Sequence, residues 1–211
     1  MKWLKSLLVA TGLIFAGMTV ALAQGANAAE APNVLIERVS NEVLDLLKKD
    51  QALRSGNIER VMEVVDEKVM PHVNFARMTA LAVGPAWREA TPEQRQQLQD
   101  EFELLLVRTY SGALDQVSQN QSIAMRPYRA AATDTDVTVN TEVRGQGNPV
   151  ELSYRMRLEN DQWKVYNVNV AGVWMVESYR SQFQPQLSSG GIDGLIKVLQ
   201  ERNRQNAGGG K

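Results

Sequence analysis

The chain has no cysteine and a single histidine, His72, in 211 residues. Without cysteine there is no disulfide framework and no thiolate for metal binding or nucleophilic attack. One imidazole leaves almost nothing for zinc-type ligation, so no metal site is expected. Histidine-dependent catalysis can use only His72, which follows Pro71 where a helix should stop; capping or surface roles are commoner there. Acid pairs exist, such as Asp66-Glu67 and Asp100-Glu101. Adjacent residues on a helix point to different sides, so these read as solvated faces rather than acid–base pairs. The glycine-rich stretch Gly190-Gly191-Ile192-Asp193-Gly194 lacks the Lys-Ser/Thr of a phosphate loop and reads as one helix ending and the next starting. Charge of one sign is missing too: 23 Lys and Arg stand against 24 Asp and Glu. Nucleic-acid affinity rests on neutralising phosphates, so no nucleic-acid partner is expected.

Long apolar runs are confined to the first residues. Lys2 and Lys5 precede the run Leu7–Leu22, which is broken by Gly12 and Gly17 and followed by Ala21-Leu22-Ala23 and Ala26-Asn27-Ala28. That is the pattern of a secretory signal peptide over residues 1–23, cleaved after Ala23 or Ala28. It is short for a membrane span, which needs about 20 apolar residues. No cysteine follows it to accept a lipid. The rest is long enough to bury a core without disulfides, so one domain is expected over residues 29–203, with a disordered tail over 204–211.

Apolar residues first recur at helical spacing. Asn33–Lys49 reads as an amphipathic helix, and Ile58–Val69 as a second that Pro71 stops. Asn74 caps a third, ended by Gly84-Pro85. Thr91-Pro92-Glu93-Gln94 opens a long helix with a capping-box pattern. The period then changes to two. Ile123–Arg129 is a weak strand, while Asp136–Arg144 and Val150–Leu158 alternate clearly, joined by Gly145–Pro149. Asn160-Asp161 turns the chain into Gln162–Val170, Gly172 ends that strand, and Val173 onward returns to helical spacing. Gly190-Gly191 separates a last helix, Ile192–Arg202. The fold class predicted is α+β: a curved antiparallel sheet of about four strands with its apolar face covered by helices.

On this reading Tyr166, Val168 and Val170 face the same side as Tyr154 and Val139. Physics alone leaves two possibilities for the space between sheet and helices. It is a solid core, or a pocket for an apolar ligand, which needs no titrating groups. The supply of methionine and aromatic residues suits pliable pocket walls.

Six segments in order carry a family resemblance. Val69-Met70-Pro71-His72-Val73-Asn74-Phe75 is similar to a "PH.DF" segment, and Ala86–Arg95, AWREATPEQR, to "WR.ATPEQR". Val107–Tyr110, Val165–Val168, Tyr179–Phe183 and Gly191–Leu195 complete the set. Together, over about residues 34–203, the chain resembles the MlaC family of periplasmic phospholipid carriers, also known as toluene-tolerance auxiliary proteins. The resemblance implies an NTF2-like cone with a helical lobe, a periplasmic location in a Gram-negative cell, and no enzymatic step. It implies no cofactor, with phospholipid as cargo. The implied partners are an outer-membrane lipoprotein complex and an inner-membrane ABC transporter with its substrate-binding ring. A monomer is expected. The competing readings are a periplasmic adaptor with a solid core and a hydrolase in a cone-shaped fold.

The expected lipid-binding residues are Phe75, Met78, Trp87, Phe102, Leu106 and Tyr110 from the helices. The strands contribute Val139, Val143, Leu152, Tyr154, Met156, Tyr166, Val168 and Val170, and the C-terminal region Trp174, Tyr179 and Phe183. Arg88 and Arg180 are candidates for a phosphate contact at the mouth. The sequence departs from the family pattern in VYNVNVAGVWM: Asn167 and Ala171 replace acidic residues and Trp174 a small one. Any role of those carboxylates does not carry over, and a narrower or differently shaped cavity near Trp174 is expected.

Overall fold

The computed structural model of the chain describes residues 29–131, 133–145 and 147–208. The signal segment 1–23 and both cleavage positions lie outside the described residues. Helices come first: α1 (Pro32–Lys49), α2 (Gln51–Arg54), α3 (Ile58–Val64), α4 (Phe75–Val83) and α5 (Pro92–Tyr110). The strands β1 (Ser122–Met125), β2 (Asp136–Arg144), β3 (Val150–Glu159), β4 (Gln162–Val170) and β5 (Val173–Trp174) follow, and α6 (Met175–Gly208) closes the chain. Among the described residues no helix is long and apolar enough to cross a membrane.

Local chemistry sets the helix boundaries. Asn57 and Asn74 accept hydrogen bonds from the backbone N–H groups of Arg60 and Arg77, which starts α3 and α4. Thr91 and Gln94 satisfy each other's backbone at the start of α5. The second helix does not run to Val69 as predicted. It is α-helical only to Val64, then widens into a π-helical turn over Val65–Val69 and tightens into a 3-10 turn over Met70–His72. Pro71 has no N–H to continue the ladder. The wider turn holds Val61, Val65 and Val69 in line on one side.

The sheet is an antiparallel meander in the order β1-β2-β3-β4-β5. It has five strands rather than about four, because Val173-Trp174 pairs with Val170 and Asn169 before the last helix begins. The weak first strand is shorter than expected, ending at Met125. Asn160 and Asp161 both have positive φ, 48° and 58°, in the two-residue β3–β4 turn. In α6 a break at Gly191, with φ of 61°, separates two helical segments where the sequence placed it. The helix continues through 204–208, which the sequence reading gave to the tail.

Three apolar clusters support this frame. Phe102 is the centre of the helical one: its ring lies 4.9 Å from Tyr179, 5.3 Å from Phe183 and 5.7 Å from Phe75. A second joins Leu35 and Ile36 of α1 to Val137, Val139, Met156 and Val165 on the inner face of the sheet. The third joins Leu47, Leu53, Val61, Val64 and Val107.

The register corrects one side-chain assignment. Tyr154 pairs with Val168, but Met156 pairs with Val165, so Tyr166 is an extra residue in a β-bulge. Val165 and Val168 therefore share the inner face. Tyr166 goes to the outer one, where its O–H donates to Asp136 Oδ1 at 2.9 Å and Arg77 lies over its ring. The outer face then carries Asn167 to the β5–α6 junction. Asn167 is 1% exposed. Its Oδ1 accepts from the Val176 N–H at 3.1 Å, and its Nδ2 donates to Glu177 Oε2 at 2.7 Å. Burial raises the Glu177 pKa, but hydrogen bonds from Asn167 and Arg155 outweigh it and hold it below the ordinary carboxylate value. Arg155 also stacks on Trp174, 3.9 Å above its ring.

Replacing Asn167 by Asp keeps the acceptor for Val176 but sets a second carboxylate against Glu177. Asn167→Asp should lower stability by about 1–3 kcal/mol at neutral pH, read as a shift of the urea unfolding midpoint. Adding Glu177→Gln should recover most of that loss. An unchanged midpoint in the single variant would show that the junction does not need the amide.

Candidate functional site

Beneath Val168 the helices stand off from the sheet and leave a cavity of about 320 Å³. Its walls come from Val61, Val65, Val69, Met70, Val73, Phe75, Met78, Glu103, Leu106, Val107, Tyr110, Ser111, Leu114, Val168 and Met175. Local structure puts them there. The π turn aligns Val61, Val65 and Val69. Phe75 and Met78 lie three apart on α4, and Leu106 and Tyr110 four apart on α5, so each pair shares a helix face. Tyr110 is 46% exposed and marks the side where the cavity meets water.

Of the residues expected from sequence, the cavity brings together Phe75, Met78, Leu106, Tyr110 and Val168. The others stand apart from it. Phe102, Tyr179 and Phe183 fill the helical core, and Trp87 packs against that cluster from outside. Val139 and Met156 are fully buried under α1, with Tyr154 packed beside them. Val143, Leu152 and Val170 lie half-buried on the inner face, off the cavity. Tyr166 is on the outer face because of the bulge. Trp174 pairs with Asn169 on that outer face, so it does not narrow the cavity as expected. Ten lining residues, from Val61 to Met175, were not among those named. The 3.6 spacing of Val61, Val65 and Val69 marked them only as an apolar stripe.

The wall has one ionisable carboxyl. Glu103 is half-buried at the wall, and its Oε1 is shut off from water with no hydrogen-bond partner. Burial pushes its pKa up to about 7, and the nearby negative charges of Asp66 and Asp100 add to the shift. His72 lies outside the cavity, in a separate cleft with Glu30, Trp163 and Lys164. Burial, with Arg38 and Lys164 near, lowers its pKa. Among the described residues no group of three or more His, Cys, Asp or Glu is placed to hold a metal ion. Arg88 and Arg180 do not flank the cavity. They lie together with Arg77 in a groove on the other side of α4.

What the arrangement can do is hold hydrocarbon. A family model described as MlaC protein matches residues 37–201. The chain belongs to the MlaC family. Two curated family relatives agree in extent. The intermembrane phospholipid transport system binding protein MlaC of Haemophilus influenzae is 24% identical over 180 residues, covering 83% of each chain. The toluene tolerance protein ttg2D of Pseudomonas putida is 27% identical over 168 residues, 79% of this chain and 77% of that one. A solved structure is similar in fold over most of the chain. It is a phospholipid-binding protein from Ralstonia solanacearum, in complex with a phospholipid at 1.53 Å resolution. It is 45% identical with a TM-score of 0.81, covering 84% of this chain and 99% of that one. The α+β fold with an open antiparallel sheet and covering helices is therefore that of an MlaC-type phospholipid-binding protein.

Glu103 makes this MlaC-family cavity sensitive to pH. Its folded pKa of about 7 lies above the ordinary 4.5, so the fold holds the proton more tightly than the unfolded chain does. That contribution to stability is complete below about pH 4.5 and is lost as pH rises through 7. The thermal midpoint should fall between pH 5 and pH 8, and Glu103→Gln should remove that part of the slope. Parallel profiles for parent and variant would assign the slope to other groups.

Proposed function

We propose that this chain is a soluble phospholipid carrier that takes acyl chains into the cavity between β4, α4, α5 and the π turn. The observation that carries the reading is the wall itself: thirteen of its fifteen side chains are aliphatic, thioether or aromatic. Two sixteen-carbon tails hold about 30 methylenes, and at about 0.8 kcal/mol each their exposure costs on the order of 24 kcal/mol. An unaccompanied lipid therefore leaves a membrane slowly. A carrier has to offer a comparable hydrocarbon environment without exceeding it, or release fails.

The cavity's 320 Å³ is at the small end of ligand sites, which run from about 300 to 1,000 Å³. A two-tailed lipid requires the walls to part. Met70, Met78 and Met175 supply pliable thioethers at three places, and the π and 3-10 turns between α3 and α4 are the least regular part of the wall. The finer reading is a shuttle across the periplasm, between an outer-membrane lipoprotein complex and an inner-membrane ABC transporter with its substrate-binding ring. Its support is family membership, the export pattern of residues 1–23 and the phospholipid bound by the Ralstonia relative.

Native mass spectrometry of the mature protein from bacterial periplasm, followed by solvent extraction, tests the reading. About one phospholipid per chain is expected. Protein that is lipid-free as purified, and takes up none from vesicles, would sink it. Two substitutions separate cavity from core. Val168→Glu should cut lipid loading at least tenfold while the chain still folds. Met156→Ala, in the fully buried cluster under α1, should cost about 2–5 kcal/mol of stability and leave lipid per folded chain unchanged.

A further inference from the structure

The groove across α4 from the cavity collects cations that no described residue neutralises. Arg77 of α4, Arg88 of the 3-10 turn Gly84–Arg88 and Arg180 of α6 line it, over a floor of Leu81, Pro85 and Trp87, and its volume is about 420 Å³. Elsewhere Arg38, Arg60, Arg126, Arg144, Arg155 and Arg204 each have a carboxylate within 3.2 Å. Among the described residues the guanidinium groups of Arg77, Arg88 and Arg180 have none within ion-pair reach and no hydrogen-bond acceptor. No acidic residue lines the groove. Arg77 Nε is buried and unpartnered.

The three side chains are held rather than free. The Arg77 guanidinium lies 4.9 Å from the centre of the Tyr166 ring. Arg180 rests on bare backbone at Gly84, where an added Cβ would meet its Nε at 3.5 Å. Arg95 donates to the carbonyls of Trp87 and Arg88, which fixes the segment carrying Arg88. In a chain with more acid than base, three unneutralised guanidinium groups around one concavity repel each other until a ligand of opposite charge arrives. The planar guanidinium fork suits carboxylate. Arginine and tryptophan beside an apolar floor are also the residue types that dominate protein interfaces. The groove is concave and part apolar, so it fits an inserted side chain flanked by acids. A flat membrane surface would not reach its floor.

We propose that this groove docks an acidic segment of a protein partner. The segment's carboxylates pair with Arg77, Arg88 and Arg180, and one apolar side chain rests on Leu81, Pro85 and Trp87. The assignment does not depend on the cargo. The test is an NMR titration of the full mature chain with a synthetic peptide of alternating glutamate and leucine, watching the Trp87 indole N–H. Anionic phospholipid vesicles and inorganic phosphate serve as parallel probes. Saturable peptide-induced shifts are expected, weakened by salt and at least tenfold by the double variant Arg77→Gln, Arg180→Gln. That variant should keep its circular dichroism and its lipid content, which separates this result from a failure of the carrier reading. The proposal is overturned if the Trp87 signal does not shift saturably, or if the double variant binds like the parent. It is equally overturned if vesicles or phosphate move the same signals as strongly as the peptide.

Discussion

Hydrocarbon on the inner face of the sheet has to be kept from water, and the helices cover only part of it. Val137, Val139, Met156 and Val165 are sealed by Leu35 and Ile36 of α1. Val168 is the next inner-face position along β4, and there the cover is drawn back to the walls made by α4, α5 and the π turn. One continuous apolar surface is thus solid at one end and hollow at the other. The hollow persists because Phe102, with Phe75, Tyr179 and Phe183 around it, fixes α4, α5 and α6 against each other. A rigid aromatic centre behind the wall stops the helices from collapsing onto Val168, as apolar surfaces otherwise would.

The β-bulge at Tyr166 connects that arrangement to the outer face. It puts Val165 and Val168 on one side while sending Tyr166 and Asn167 to the other. Asn167 then meets the first turn of α6 and fixes where the strand hands over to the helix. At this position the amide does what a carboxylate could not, since it must accept from Val176 and donate to Glu177 at once. The departure from the family pattern at Asn167 is thereby paired with Glu177, Arg155 and the stacked Trp174. Together they form a polar clasp rather than a piece of the cavity wall.

The parts of the fold that were legible in the sequence are those governed by local chemistry. The bounds of β2 and β4, the Asn160-Asp161 turn, the Thr91 capping box and the Gly191 break follow from period, turn residues and caps alone. The bulge leaves only a faint mark: apolar positions run Trp163, Val165 and then Val168, Val170, a change of phase at Tyr166 that a reading of Tyr166 with Val168 and Val170 passes over. The π turn was hidden, because valines at 61, 65 and 69 suit an ordinary helix too. Separating core from cavity was harder still. Phe102 and Leu106 sit on one helix with the same chemistry, yet the first is enclosed by aromatic rings and the second lines open space. That difference is set by what α6 and β4 place opposite each, which no single segment encodes. Asp66 and Glu103 likewise meet only in the folded chain.

Glu103 is the costliest member of the cavity wall, and its position argues about how such a wall works. A half-buried carboxyl crowded by Asp66 and Asp100 weakens the fold when it ionises. An apolar residue there would make the cavity wholly hydrocarbon and more stable. It would also bind hydrocarbon more strongly and part with it less readily. On the proposed carrier reading that is a disadvantage, since a wall that exceeds a membrane's hydrocarbon environment would hold its lipid too tightly to release it. With a pKa near 7, Glu103 sits where a small change in its surroundings, such as tails pressing on it or water entering beside Tyr110, changes its charge. A drier wall would favour its neutral form and water or a hydrogen-bond donor reaching the carboxyl its charged one.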